Sequence, residues 1–480
     1  MHRFSLHNEE EIVLNSLLKK GIPAVLGLSL AAGPVLFGAT TPTAPTTPPP
    51  AAEAPASVVS APADGEVKNV IFLIGDGMGP SYTAAYRYMQ DKASTPLMEK
   101  TAFDPYLVGM QTTYPEDEHQ NITDSASAAT AMSAAVKTYN AAIAVDNDKT
   151  NVKTVLEQAK ENGMSTGLVA TSEITHATPA AFGAHDISRK NMDAIANDYF
   201  DEKIGGQHKI DVLLGGGKSN FVRKDRDLTA EFKKAGYGYV TDRKALLANK
   251  DKQLLGLFAD GGLDKMIDRS SAAPSLKEMT NAALDRLSQN DKGFFLMVEG
   301  SQIDWAGHDN DVVAAMSEMD DFAKAFQAAI DFAKKDGHTL VVATADHSTG
   351  GFSLGADGEY NFLVSPIKAA VHTPDYMAAK IAAGESVEKV LAQNIKLKLT
   401  QEERASVKKA AVSKDVTTID NAIEDIFNKR SFTGWTTGGH TGEDVPVYAY
   451  GPNSERFAGL IDNTDNAKVI FELLGGKPTR

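Results

Sequence analysis

The chain has no cysteine. That absence removes disulfides and thiolate metal ligands together, so any metal site must be built from His, Asp, Glu and hydroxyl groups. Positive charge is also scarce: 48 Lys and Arg against 63 Asp and Glu leave a formal net charge of −15. Such a balance argues against nucleic acid as a general partner, because nothing offsets repulsion from a phosphate backbone. A phosphate-handling site would then need positive charge from a few local groups or from bound metal ions. Internal repeats are missing, and so is a Gly-x-Ser-x-Gly elbow followed by an acid and a His in the expected contexts, which disfavours a hydrolase triad. What is present is 480 residues, 42% of them hydrophobic, enough for one large α/β domain or two ordinary ones.

Lys19 and Lys20 precede an apolar run from Gly21 to Ala39. Residues 1–39 read as a secretory signal, with a membrane anchor as the competing reading because the run is long. Residues 40–64 are rich in Thr, Pro and Ala, too poor in large apolar groups to pack, and read as a disordered linker. The folded part, 65–480, alternates strand-like and helical patterns. Strands are expected at Val70 to Ile74, Thr166 to Ala170, Asp211 to Leu214, Phe294 to Val298, Thr339 to Ala343 and Val447 to Tyr450. Helical patterns include Val152 to Asn162, closed by Gly163, and Val312 to Lys335, closed by Gly337. This alternation predicts a three-layer α/β sandwich with a largely parallel central sheet. The rhythm breaks over 352–433, where polar helical patterns occur at Thr400 to Ser413 and Val416 to Phe427; this segment is expected to be an insertion that covers the site or grips a second subunit.

Several strand ends carry groups that bind metal. IGDGMG leaves Asp76 between two glycines at the end of a buried strand, where open α/β sheets carry ligands, although Asp can also simply cap the next helix. EGSQIDWAGH delivers Glu299, then Asp304 and His308 at i and i+4, which share a face if a helical turn begins there. ATADHSTGG delivers Asp346 and His347, and GWTTGGHTGED sets His440 among glycines. Any lone His is more often a surface residue. Four carboxylates and three imidazoles in such places repel unless cations join them, so a multi-metal cluster is the economical explanation.

TDSASAAT reads as the start of an Ala-rich helix with Asp124 or Ser125 as its cap. A helix amino end also stabilises a Ser alkoxide and an incoming phosphoryl group, and a Ser at its ordinary pKa needs a base or a metal to become a nucleophile. After the strand Thr166 to Ala170, SEITHATPAAFGAHDISRK offers the Thr178 hydroxyl to a hard cation and the Arg189 fork to two phosphate oxygens. A surface ion pair is the default for an isolated arginine.

Taken in order, IGDGMG, TDSASAAT, THATPAA with SRK, VEGSQIDWAGH, TADHSTGG and GGHTGED resemble the alkaline phosphatases, bacterial members closely. The resemblance implies a broad-specificity, metal-dependent phosphate monoester hydrolase that releases inorganic phosphate through a phosphoserine. It makes Ser125 the nucleophile and Arg189 the phosphate clamp. It assigns a first zinc to Asp304, His308 and His440, a second to Asp76, Asp346 and His347, and a magnesium to Asp76, Thr178 and Glu299. His176 and Trp305 stand where the best-known bacterial members carry Asp and Lys, resembling instead animal enzymes and certain marine, cold-active bacterial ones. His176 favours zinc or cobalt at the third site, and Trp305 removes a cation from the phosphate pocket. The resemblance further implies a homodimer in the periplasm or outside the cell, with nucleic acid relevant only through terminal phosphates. A phosphodiesterase or sulfatase of the same superfamily is the alternative.

Overall fold

The computed structural model describes residues 65–92 and 94–478. The expected export segment and linker lie outside these residues. Every residue of the first strand, β1 (Asn69–Gly75), is buried. Ile71 and Leu73 enter the core on one face of the sheet, and Val70, Phe72 and Ile74 enter the core on the other. A strand apolar on both faces belongs in the middle of a sheet covered by helices on both sides, and β1 sits there.

The remaining strands are β2 (Leu107–Thr112), β3 (Ser165–Glu173), the hairpin β4 (Lys203–Ile204) and β5 (Gln207–His208), β6 (Val212–Gly216), β7 (Gly238–Val240), β8 (Leu254–Leu257), β9 (Phe294–Gly300), β10 (Thr339–Thr344), β11 (Ser348–Thr349), β12 (Ser353–Leu354), β13 (Thr433–Gly434), β14 (His440–Thr441), β15 (Val445–Tyr450) and β16 (Gly459–Asp462). Nine of them join β1 in one ten-stranded sheet, in the order β16-β2-β15-β10-β1-β9-β3-β6-β8-β7. Its pairings are parallel except those that β15 makes with β10 and β2. The sequence pattern anticipates the six central strands but not β2, β7, β8 or β16. β2 is half-exposed with mixed polarity, and β7 and β8 are short, so neither alternation nor a long apolar run marks them.

Helices Leu276–Leu287 and Val312–Asp336 pack on one face, and Ser125–Ala134, Val155–Glu161, Ala177–Gly183 and Asn463–Leu473 on the other. Their ends follow from local chemistry. Thr154 and Glu157 form a capping box, Asp311 caps the long helix, and Gly337 closes it at φ 79°.

Between β12 and β13, which pair with each other through Ser353↔Gly434 and Leu354↔Thr433, the chain makes five helices. They are Val364–Lys368, Pro374–Ala382, Val387–Asn394, Gln401–Ala411 and Val416–Ser431. Apolar residues such as Met377, Ile381, Ile423 and Phe427 belong to the same core cluster as Leu73 and Phe322. No helix among the described residues is long and apolar enough to cross a membrane.

Candidate active site

Register brings the chemistry together. Ile74 lies beside Glu299 on β9 and beside Thr344 on β10, so the carboxyl ends of three adjacent strands deliver Asp76, Glu299 and Asp346 to one edge. Gly77 turns the chain there at φ 69° and donates its N–H to Asp346 Oδ1 at 3.0 Å. As the spacing predicts, Asp304 and His308 share one side of a helix, Gln302–Asp309, with His308 Nε2 3.3 Å from Asp304 Oδ2. The short β11–β14 pair then carries His440 in, through Thr349↔His440.

These groups form a continuous chain of contacts. His440 Nε2 lies 3.5 Å from Asp304 Oδ1 and 3.2 Å from His308 Nε2, and the His347 and His440 rings stack with centroids 3.6 Å apart. His347 Nε2 is 3.2 Å from Asp346 Oδ2 and 3.5 Å from Asp76 Oδ1. Backbone acceptors orient the imidazoles: His440 Nδ1 is 2.8 Å from Thr123 O, and His308 Nδ1 is 2.7 Å from Gly438 O. Such contacts fix each ring so that Nε2 faces the cluster.

Within this cluster three sets of side chains can each hold an ion: Asp304, His347 and His440; Asp76, Asp346 and His347; and Asp76, His176 and Glu299. Thr178 Oγ1 is buried and has no hydrogen-bond partner. His176 therefore faces the third position directly, rather than merely flanking it. Its Nε2 is 3.2 Å from Arg189 Nη2, and its buried Nδ1 makes no hydrogen bond.

The donor set fits cations. Asp76, Glu299 and Asp346 are fully buried, yet both Asp76 oxygens, Glu299 Oε1 and Asp346 Oδ2 accept no hydrogen bond. Burial and then the neighbouring Asp346, Asp304 and Glu299 push the Asp76 carboxyl far above its ordinary range. Burial likewise pushes Glu299 up to about 7 and Asp346 up to about 6. Asp304 goes the other way: burial opposes ionisation, but the hydrogen bond with His308 and the surrounding imidazoles hold it far below the carboxylate range. The same hydrogen bond pushes His308 up to about 9, whereas burial drives His347 well below its ordinary value. Buried acids with unused lone pairs are costly unless a cation takes them up.

Ser125 opens the helix Ser125–Ala134, capped by Asp124, whose side chain accepts from Ser127 N–H. Every residue of that helix is buried, which explains its run of alanines. Ser125 Oγ lies 3.2 Å from His347 Nε2. Arg189 Nη1 donates to Asp124 Oδ2 at 3.0 Å, so the fork is aimed beside the helix amino end. A cleft of about 430 Å³ lined by Ile122, Thr123, Asp124 and His440 opens next to it. Trp305 packs edge-on against His176 with centroids 5.8 Å apart, and Lys265 Nζ lies 5.8 Å from the Trp305 ring. Sequence reasoning brings no attention to Thr349, which donates to Asp304 Oδ1 at 2.5 Å, or to Tyr82, which donates to Thr349 O at 2.7 Å. Thr349 stands inside the TADHSTGG motif, and that position was its available signal.

A mostly parallel sheet whose strand ends gather acids and imidazoles beside a helix-borne serine defines a class: α/β enzymes that handle phosphoryl groups with metal ions. The family model for alkaline phosphatase matches residues 67–475. Alkaline phosphatase 3 of Bacillus subtilis is 71% identical over 412 residues, 85% of this chain and 89% of that protein. The structure of a cold-active alkaline phosphatase from the psychrophile Shewanella sp. is 42% identical with a TM-score of 0.80, covering 85% of this chain and 99% of that one. An alkaline phosphatase of the Antarctic bacterium TAB5, with a histidine replaced by aspartate and Mg bound in its M3 site, is 32% identical with a TM-score of 0.63, covering 86% and 99%. The chain belongs to the alkaline phosphatase family and is a metal-dependent phosphate monoester hydrolase.

Proposed function

We propose that the chain releases inorganic phosphate from a broad range of monoesters through a phosphoserine at Ser125. The observation that carries this is the position of Ser125 Oγ, at a helix amino end and 3.2 Å from His347 Nε2 in the Asp76, Asp346 set. Asp304, His308 and His440 would hold one zinc ion, Asp76, Asp346 and His347 another, and Asp76, Thr178 and Glu299 magnesium, or zinc or cobalt with His176 Nδ1 joining. Ions bound there supply Lewis acidity that ionises hydroxyl groups and offsets charge on phosphoryl oxygens.

Ser125 Oγ forms a bond to phosphorus as the ester P–O bond breaks, and the alcohol departs with a proton. The first N–H groups of the Ser125 helix and the Arg189 fork receive the non-bridging oxygens. Water then displaces Ser125 from phosphorus and regenerates the hydroxyl. The cleft beside Thr123 and Asp124 is open and polar, so the alcohol is gripped little and substrate choice is broad. A fork placed for two oxygens suits a monoester dianion better than a diester or sulfate ester. Side-by-side turnover of the three ester types tests this; faster diester or sulfate-ester turnover would assign the site to the rival activity.

The grouping of His176 with Asp76 and Glu299 supports reading it as the residue that sets third-site preference. We also assign residues 352–433 to a homodimer contact, supported by the exposed Tyr360, Leu363 and Val412. Export to the periplasm or the medium follows from the Lys19–Lys20 and apolar pattern.

A further inference from the structure

The loop that follows the helix Ser125–Ala134 doubles back beside that helix's amino end. Ala135, Ala141 and Ala144 take left-handed backbones there, at φ 62°, 78° and 43°. An alanine so held is strained, and the strain persists only where surrounding contacts impose it. One such contact is the bridge between Ile143 and Asp186, two backbone hydrogen bonds of 2.9 Å that lay the loop against the segment leading to Arg189. The others converge on Asn140.

Both ends of the Asn140 side chain are engaged. Oδ1 accepts from Asp124 N–H at 2.9 Å and from Ser127 Oγ at 2.8 Å. Nδ2 donates to Ile122 O at 3.0 Å and to Gln120 Oε1 at 2.7 Å. Because Asp124 N–H can only donate and Ile122 O can only accept, the amide has one permitted orientation. Its own N–H donates to Asp117 Oδ2 at 3.0 Å, and Asp117 Oδ1 accepts from the His119 and Gln120 N–H groups at 2.8 and 3.0 Å. The next residue, Ala141, donates its N–H to Asp124 Oδ2 at 3.0 Å, the same oxygen that takes Arg189 Nη1. Its carbonyl accepts from Arg189 N–H at 2.8 Å. Asn140 thus fixes the main chain of Asp124, and its neighbour fixes both the Asp124 carboxylate and the main chain of Arg189.

We propose that Asn140 is a positioning residue for the phosphate pocket: by holding Asp124 it keeps the start of the Ser125 helix and the Arg189 fork aligned on one phosphoryl group. This rests on the roles of Ser125 and Arg189 proposed above. Without the amide, Asp124 N–H and Ile122 O lose their partners and the segment that carries the aspartate is released. Arg189 then keeps its charge but loses its aim, and a planar fork delivers two hydrogen bonds only when aimed.

The test compares the wild type with Asn140→Ala, Arg189→Ala and the double variant, each with its zinc and magnesium content and Tm recorded. The readouts are kcat, KM and the inhibition constant of inorganic phosphate. Arg189→Ala is expected to weaken phosphate inhibition, and Asn140→Ala to weaken it about tenfold with metal content unchanged. In the Arg189→Ala background the Asn140 change should add less than about twofold, because the group it aims is gone. An effect that multiplies in full in both backgrounds overturns the proposal and leaves Asn140 a loop fastening; so does unchanged inhibition in Asn140→Ala. Arg189→Ala with undiminished phosphate inhibition overturns the reading of the site itself and this proposal with it, so the two failures are distinct. Should Asn140→Ala not fold, Ser127→Ala decides in its place: alanine suits that helix, and the change deletes one of the two groups from which Oδ1 accepts. A weakening that disappears in the Arg189→Ala background supports the proposal, and no weakening overturns it.

Discussion

Arg189 is steered from two sides, with Nη1 on Asp124 and Nη2 against His176, while burial and the Asp124 charge both act on its guanidinium. Each charge-assisted hydrogen bond to a phosphoryl oxygen is worth about 1.5–3 kcal/mol. Arg189→Ala should therefore lower kcat/KM by roughly 10–100-fold per bond lost, and Arg189→Lys should recover only part, because an ammonium lacks the planar fork. Steady-state kinetics on one monoester check this. Trp305 packs beside His176, and in the proposed reading it takes the place of a cation that would strengthen phosphate binding. Trp305→Lys should tighten product inhibition by phosphate and slow release; an unchanged inhibition constant contradicts that role. Asp76, Asp346, His347 and His440 are legible in the sequence because each follows a strand or sits in a Gly-rich turn, and Asp304 and His308 because their i, i+4 spacing puts them on one helix face. The Asp124–Arg189 pair is not, since 65 residues separate the partners and Asp124 is already accounted for as a helix cap.

The turn after β1 is where an element's geometry and the site's chemistry meet. Gly77 takes φ 69°, and a Cβ there would lie 2.6 Å from Thr349 Oγ1 and 2.9 Å from Asp304 Cα. Gly77→Ala should cost about 1–3 kcal/mol of stability and displace both Asp76 and Asp304. Denaturation midpoints and zinc content of the purified variant measure the two effects; a variant as stable and as fully metallated as the wild type refutes the reading of this turn. Central strands are readable because burial on both faces leaves an unbroken apolar run, as in β1, β9 and β10. The edge strand β16 and its neighbour β2 bury little, so composition does not betray them. Two of the five helices in 352–433, Gln401–Ala411 and Val416–Ser431, are visible through polar periodicity, whereas the shorter Val364–Lys368, Pro374–Ala382 and Val387–Asn394 are not.

At the scale of the whole molecule, metal loading is coupled to protons. In metal-free enzyme, burial pushes Glu299 up to about 7 and Asp346 up to about 6, and the hydrogen bond with Asp304 pushes His308 up to about 9. A cation must expel whatever protons these groups hold. Proton release on zinc and magnesium binding should therefore be larger at about pH 6 than at about pH 8, and apparent affinity should rise between them. Calorimetry in buffers of different ionisation enthalpy reads the count; equal release at both values contradicts the sign. Chelation should abolish monoesterase activity and lower Tm, and restoring zinc with magnesium should recover both. A monomeric mass at micromolar concentration would remove the assigned subunit contact.

The central claim is that acids and imidazoles from distant parts of the chain converge to make one hydroxyl reactive toward phosphorus. Its most direct measurement is acid quenching of enzyme incubated with labelled phosphate, followed by peptide mapping, alongside turnover of Ser125→Ala. The expected result is label on Ser125 alone and a loss of about 10³-fold or more in kcat for the variant, with its metal content unchanged. Label on another residue, or turnover undiminished without the serine hydroxyl, contradicts it.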